Sequence, residues 1–334
     1  MSSRRPGSVA VTITEVADAA QVSRSTVSRV FSRPELLRPE TVDRVRRIAE
    51  QLGYRPNPSA KALSTGRMSA FGIVVPDIEN PFFPPLIRSA SARATESEIA
   101  VLIADTQEDP ALEAAALGRL ATRTDGVVLA SSRQTQTAIL EWSRRLRLVL
   151  VNRDIPGIPR VLVDTGQGVG HAVEHLAALG HRHIAYLVGP RHSWSNRERR
   201  GAIIKTAKIL GLKVSLIKGF GPTYDDGLRS AAPVLASGAT AVIAFDDLMA
   251  HGAMAGFVQA GLQVPQQMSV VGCDSFLATK TYPQLTSVRS RSEEAGVVAV
   301  DLLTGPLDPR ARVVVTGELV IRDTTAPPAL DRLP

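Results

Sequence analysis

Cysteine is almost missing from this chain: Cys273 stands alone among 334 residues. A single thiol excludes an internal disulfide and fits a reducing cytoplasm. Long apolar runs are missing too, and none reaches the roughly 18 residues that suggest a membrane-crossing helix. The N-terminal MSSRRPGSVAV is basic but carries no apolar stretch of signal-peptide length. Negative charge is missing unevenly. Residues 1–67 hold six Asp/Glu against twelve Lys/Arg, whereas the rest of the chain holds 26 against 27. The composition, 44% hydrophobic and 21% charged, is that of an ordinary globular protein, and the length allows two or three domains. A basic head on a near-neutral body points to a polyanion partner for the head alone. A merely solubilising basic tail is the bland alternative.

What is present in the head is a pattern of three short helices. TITE is a capping box, with Thr12 as N-cap and Glu15 three residues on. Ile13, Val16, Ala17 and Ala20 follow as one apolar stripe. After a tight turn over residues 20–23, Ser23 is placed to cap a second helix, QVSRSTVSRVF. Its buried stripe is narrow: Val27, Val30 and Phe31. Ser25, Ser28, Arg29 and Ser32 gather on the other side, with Arg24 at the edge of that face. Small inside and rich in donors outside is what a helix in a DNA major groove needs: arginine for guanine, hydroxyls for phosphates. Two helices joined by a tight turn make a helix-turn-helix. A third helix, from Pro39, is expected to bury Val42, Val45, Ala49 and Leu52 and to end at Gly53. In YRPNPSAKALSTGR, Asn57 can cap a short helix through Ala60 and Leu63. That piece reads either as a linker or as a segment that orders on DNA and wedges Leu63 into the minor groove.

These stretches resemble the DNA-binding headpiece and hinge of the lac-repressor family of transcription factors. The likeness continues through VVPDIENPFF, VEHLAALGHRHIAYLVGP, DDLMAHGAM and SVVGCDSF, colinear over about residues 11–325. It implies base reading by Arg24, Ser25 and Arg29, phosphate contacts from Ser23, Thr26 and Ser28, and a minor-groove lever at Leu63. Asn57 and Ala60 complete the DNA-binding set. Two departures stand out. Gln21 replaces a glycine in the turn, which strains the backbone by about 1 kcal/mol if φ is positive there. Arg38 replaces the usual hydroxyl cap of the third helix.

Beyond Met68, β-branched runs alternate with helical stretches, in two series: FGIVVP, AVLIAD, DGVVLA, LVLVN and RVLVD, then HIAYLVG, KVSLIKG, AVIAFD and SVVGCD. Two α/β lobes with mostly parallel sheets are the natural architecture. The resemblance implies a periplasmic-binding-protein-like fold, with chain crossovers near residues 164–168, 287–291 and 321–323. Ligands in such folds bind at the carboxyl ends of strands, here between the lobes. Asp77, Asn152, Asp164, Asp246 and Asp274 end strands or begin the next element, where a helix cap is the ordinary role. Together with Arg199, Phe82, Phe83 and Trp194 they make a site for a polyhydroxylated ligand, with bidentate polar contacts and a stacking face. By resemblance Phe82 and Phe83 line the cleft, Arg199 grips the effector and Asp274 accepts its hydroxyls. Asp246 stands where the family often has asparagine.

Two motifs compete with this reading. HAVEH, from His171 to His175, fits an inverted zinc-protease pattern, but both histidines fall on the solvent side of their helix and no third ligand follows. VDTGQGVG resembles a dinucleotide loop, but His171 stands in place of the last glycine. No cofactor, metal or catalytic constellation is expected. The expected organisation is a tail to residue 11, a helix-turn-helix domain over 12–56, a hinge over 57–67, a two-lobed effector and dimerisation domain over 68–325, and a tail over 326–334. The expected protein is a cytoplasmic, homodimeric, ligand-responsive regulator, most simply a repressor, of a palindromic operator. Its effector is a sugar or sugar derivative by resemblance. The ending TTAPPALDRLP is too short and proline-rich for the leucine-rich tail of the family's tetramers, which favours a dimer. A solute-binding protein is the rival reading, and a zinc enzyme through HAVEH a lesser one.

Overall fold

The computed structural model describes residues 11–55 and 68–329. The chain forms two compact units that divide after Ser69. In the first unit, α1 (Ile13–Ala19), α2 (Arg24–Ser32) and α3 (Pro39–Leu52) enclose a small aliphatic core of Val16, Ala17, Ala20, Val27, Val30, Val42, Val45 and Ala49. Thr12 and Glu15 close a reciprocal capping box on α1, and the Ser23 hydroxyl accepts the Thr26 amide at the start of α2. The turn between them puts Gln21 at φ 51°, the left-handed conformation that glycine adopts without cost. Arg38 precedes α3 without a side-chain cap bond. One expected core residue lies elsewhere: Leu52 is 40% exposed. Gly53, at φ 70°, turns the chain so that the Tyr54 amide donates to the Ala49 carbonyl. The Tyr54 ring then packs against half-buried Phe31, 5.8 Å between centroids, and covers that end of the core.

The second unit has two lobes. The first is built from β1 (Ala70–Val75), α4 (Phe83–Thr95), β2 (Ala100–Asp105), α5 (Pro110–Leu120), β3 (Gly126–Ala130), α6 (Gln136–Ser143), β4 (Leu148–Val151) and β5 (Arg160–Asp164). The chain then enters the second lobe through α7 (Gly166–Ala178), β6 (His183–Leu187), α8 (Trp194–Ile209), β7 (Lys213–Ile217), α9 (Tyr224–Arg229) and α10 (Ala231–Ser237). That lobe is completed by β8 (Ala241–Ala244), α11 (Asp247–Gln259), β9 (Ser269–Asp274) and β10 (Thr286–Arg289). The chain returns to the first lobe for α12 (Ser292–Thr304) and β11 (Arg312–Thr316), and crosses again into β12 (Glu318–Val320).

The two six-stranded sheets run in the orders β11-β5-β4-β3-β1-β2 and β12-β10-β9-β8-β6-β7. All pairings are parallel except β10 with β12. Strands such as β3, β4 and β8 are buried at every position, as strands covered by helices on both faces must be. The crossovers after β5 and after β10 fall where the resemblance implies them. The third does not: it falls at Gly317, between β11 and β12, a few residues ahead of 321–323. Packing explains the shift. The three crossing segments meet there, with the Gly317 amide donating to the Asp164 carbonyl at 2.8 Å. A Cβ on Gly317 would lie 2.7 Å from the Arg289 carbonyl oxygen, so only glycine passes. Gly168, in the VDTGQGVG stretch, has the same duty, since its Cβ would meet Val288 at 2.6 Å.

Candidate functional site: an exposed donor face and an inter-lobe cleft

In the head, Ser23, Arg24, Ser25 and Arg29 are exposed, and Thr26 and Ser28 are half-buried. The hydroxyls are already organised: Ser23 Oγ lies 2.7 Å from Ser25 Oγ and 2.8 Å from Thr26 Oγ1. Ser23 therefore caps α2 with the oxygen that the sequence assigned to phosphate. A hydroxyl has one proton and two lone pairs, so it can cap the helix and still donate outward. Asn57, Ala60 and Leu63 lie outside the described residues.

In the body, register delivers the site. Val75, Val151 and Ala130 end β1, β4 and β3, and Leu187 and Ala244 pair at the ends of β6 and β8. Of the residues that follow, Ser131, Asn152 and Phe245 face the gap between the lobes, where a narrow cavity of about 30 Å³ lies. Phe82, Phe83, Asn152, Arg199 and Asp274 line it, as expected. The two phenyl rings meet edge to face at 5.1 Å. Four of the lining residues, Glu108, Ser131, Asn152 and Asp274, have left-handed backbones, with φ of 60°, 47°, 56° and 101°. Such strain in non-glycine residues concentrates where side chains must be aimed at a ligand.

Arg199 is the hub of the cleft. Its Nε donates to Thr165 Oγ1 at 2.9 Å, at the first crossover, and its Nη2 to Asp274 Oδ1 at 2.9 Å. Nη1 donates to the Phe245 carbonyl, and the guanidinium lies 4.9 Å from the centre of the Phe245 ring. Burial works against its charge and against that of Asp274, whose carboxyl is pushed up; the Arg199–Asp274 attraction opposes both effects. A second pair, Arg133 with Glu108, stands across the cavity. The inner cavity thus carries its charges in matched pairs.

Four of the expected effector residues do not line this cavity. Asp77 accepts the Glu79 amide and Asp164 the Gly166 amide, each closing a local turn. Trp194 faces a neighbouring cavity. Asp246 is buried behind the site, where it caps α11 through the Met249 amide and accepts Asn80 Nδ2 from the other lobe at 3.2 Å. Burial pushes its carboxyl up to about 7. Sequence reasoning missed Asn80, Glu108, Ser131, Arg133, Ser193, Ser195, Pro222 and Phe245. Only Asn80 carried a signal, standing two residues before the Phe82–Phe83 pair.

Of the two competing motifs, HAVEH lies on α7 with His171 exposed and His175 Nε2 bonded to Thr325 Oγ1 at 2.9 Å. No group of three His, Cys, Asp or Glu among the described residues could hold a metal ion. No helix among them is long and apolar enough to cross a membrane.

A helix-turn-helix head joined to a two-lobed body with a polar inter-lobe cleft defines a ligand-responsive, DNA-binding transcriptional regulator. Comparison with known proteins gives the family. A model of bacterial regulatory proteins, lacI family, matches residues 12–57, and a periplasmic binding protein-like domain matches residues 173–325. The chain is 31% identical to the HTH-type transcriptional regulator DegA of Bacillus subtilis, over 95% of this chain and 98% of that protein. The lac repressor bound to ONPG in its repressed state superimposes with a TM-score of 0.83 at 25% identity, over 95% of this chain and 100% of that one. A complex of the transcriptional regulator CelR with cellobiose matches with a TM-score of 0.69 at 27% identity, over 94% and 99%. The chain belongs to the LacI family of transcriptional regulators.

Proposed function

We propose that this regulator is a cytoplasmic homodimeric repressor that binds a palindromic operator through α2 and a polyhydroxylated effector, a sugar or sugar derivative, in the inter-lobe cleft. The observation that carries the effector reading is the charge-balanced inner cavity. Paired carboxylates and guanidiniums beside two aromatic edges suit neutral hydroxyl groups, which need both donors and acceptors and a face to stack on. Two similar structures, one a complex of CelR with cellobiose and one of the lac repressor with ONPG, support a carbohydrate. Arg24, Ser25 and Arg29 read bases, while Ser23, Thr26 and Ser28 hold phosphates. A dimer is supported by exposed apolar side chains on the edge strand β2, Leu102 and Ile103, and in the second lobe by Val258, Phe276 and Tyr282. Because effector and operator are linked through one equilibrium, the effector must prefer one lobe arrangement over the other. Arg199, Thr165 and the Asn80–Asp246 bond span the region that such a change reshapes.

A thermal-shift screen of the full chain against sugars, polyols and nucleosides tests this, repeated with Arg199→Lys, which keeps the charge beside Asp274 but loses the planar fork. A stabilising compound whose effect is lost in the variant, and which alters operator binding by the wild type, is the expected result. A compound that stabilises both proteins equally places the effector elsewhere.

A further inference from the structure

Beside the inner cavity, and sharing Ser193 with it, lies an outer cavity of about 610 Å³ with a different electrical character. Arg153, Arg191, Arg197 and Arg200 line it, together with His192 and one carboxylate, Asp154. That carboxylate is already committed: its Oδ1 accepts from Arg160 and its Oδ2 from Arg312. Among the described residues Arg153, Arg191 and Arg200 have no ion-pair partner, and Arg197 shares one nitrogen with half-buried Glu198 at 3.3 Å. Arg153 is the most enclosed of the four. Its two terminal nitrogens donate to the Ser132 and Gln134 carbonyls, which fix its direction without neutralising it. Burial holds its guanidinium below the usual range, and the neighbouring Arg133 and Arg197 add to this against the pull of Glu113.

The two cavities differ in how their charges are balanced. Inside, each cation has a buried or half-buried anion; outside, guanidiniums gather and no carboxylate is free to answer them. Arginines crowded without counter-charges repel one another, and the arrangement is stabilised when an anion with several oxygens enters. A carboxylate is satisfied by a single bidentate arginine, whereas a phosphomonoester has three oxygens and close to two charges, enough for several.

We propose that the outer cavity is an anion subsite, and that the effector is a phosphorylated polyol with its hydroxyls in the inner cleft and its phosphate among Arg153, Arg197 and Arg200. This deepens the effector reading above and rests on it for the placement of the hydroxylated part. The experiment is isothermal titration calorimetry of the full chain at constant ionic strength. It uses inorganic phosphate, then glucose, fructose and mannose each paired with its 6-phosphate, then gluconate as a carboxylate of similar size. The wild type is compared with an Arg197→Gln/Arg200→Gln double variant, both positions being exposed and uninvolved in the core.

Saturable binding of inorganic phosphate, tighter binding of at least one 6-phosphate than of its parent sugar, and a loss of about tenfold or more in the double variant are expected. The proposal is overturned if no phosphate compound binds saturably, if gluconate binds as well as the phosphates, or if the double variant binds them unchanged. Neutral sugar binding and operator binding, measured on the same two proteins, separate this from the broader reading. If both persist while phosphate fails, only the subsite is lost. If neutral sugars and operator DNA fail as well, the proposed sugar-responsive operator binding falls with it.

Discussion

The head carries its candidate site residues outside its own core, and the body carries most of its own inside. In the head, the core is a handful of small aliphatics, and Arg24, Ser25 and Arg29 of α2 lie exposed, outside that core. In the body, the central residues of the cleft are themselves buried. Arg199 is 3% exposed and Asp274 9%, and each is held by the other. The difference teaches where function and stability can be separated. A donor on an exposed helix face can be deleted without touching the core, whereas removing one member of a buried pair strands its partner.

The largest expected effect follows directly. Arg199→Ala leaves the Asp274 carboxylate buried without a counter-charge and should cost about 3–5 kcal/mol of stability in denaturant unfolding. Adding Asp274→Ala should recover part of it. A mild loss in the single variant, with no recovery in the double, would erase the distinction drawn between body and head.

Asp246 sharpens the comparison through pH. Its folded carboxyl titrates at about 7, far above the ordinary 3.8, chiefly because it is buried. A raised folded value means that its protonation stabilises the fold at low pH, and that this contribution is lost as pH rises towards about 7. Asp246→Asn should therefore flatten the decline of stability across that window, measured as unfolding midpoints between pH 4 and 8. An unchanged slope would assign the dependence to Asp247 or Asp274, whose carboxyls burial also raises.

On the head, Arg29→Ala should weaken operator binding by about 1–3 kcal/mol and relax preference at one base, while the melting temperature stays put. Equal loss on all sequences would make Arg29 a phosphate contact instead. The smallest effects concern the helix ends. Thr12→Ala breaks the capping box and should cost the head about 1 kcal/mol, whereas Gln21→Gly relieves a φ of 51° and should return about 0.5–1 kcal/mol. Amide hydrogen exchange in α1 and α2 reads both. If neither change is seen there, local backbone chemistry does not limit the head's stability.

The same contrast governs how far the sequence was legible. Periodicity, the capping box and the turn identified α1, α2 and α3 because helices carry their signals within a few residues. The nine strand runs of the body became β1 to β9; β10 and β12, short or polar, were left unnamed, and so was β11, although its RVVVT is as long and as β-branched as the RVLVD of β5. Leu52 was expected in the core because its spacing was right, but the turn at Gly53 gave its place to Tyr54. In the cleft, strand-end carboxylates looked alike in sequence. Asp77 and Asp164 close turns, Asp246 caps a helix and Asp274 lines the inter-lobe cavity, and no local pattern separates these duties.

By itself the sequence determined the division into a basic head and a neutral body, the donor face of α2, the parallel two-lobed architecture and the family. All of these are written in composition, in helical and strand spacing, or in colinear motifs. Only the tertiary structure decided which polar residues share a cavity, that Arg199 is neutralised by Asp274 while the neighbouring arginines are not, and that the third crossing is made at Gly317. Those facts depend on distances between residues such as Arg199 and Asp274, 75 positions apart in the chain. Charge compensation and close backbone approach act through space, and a sequence records only neighbours along the chain.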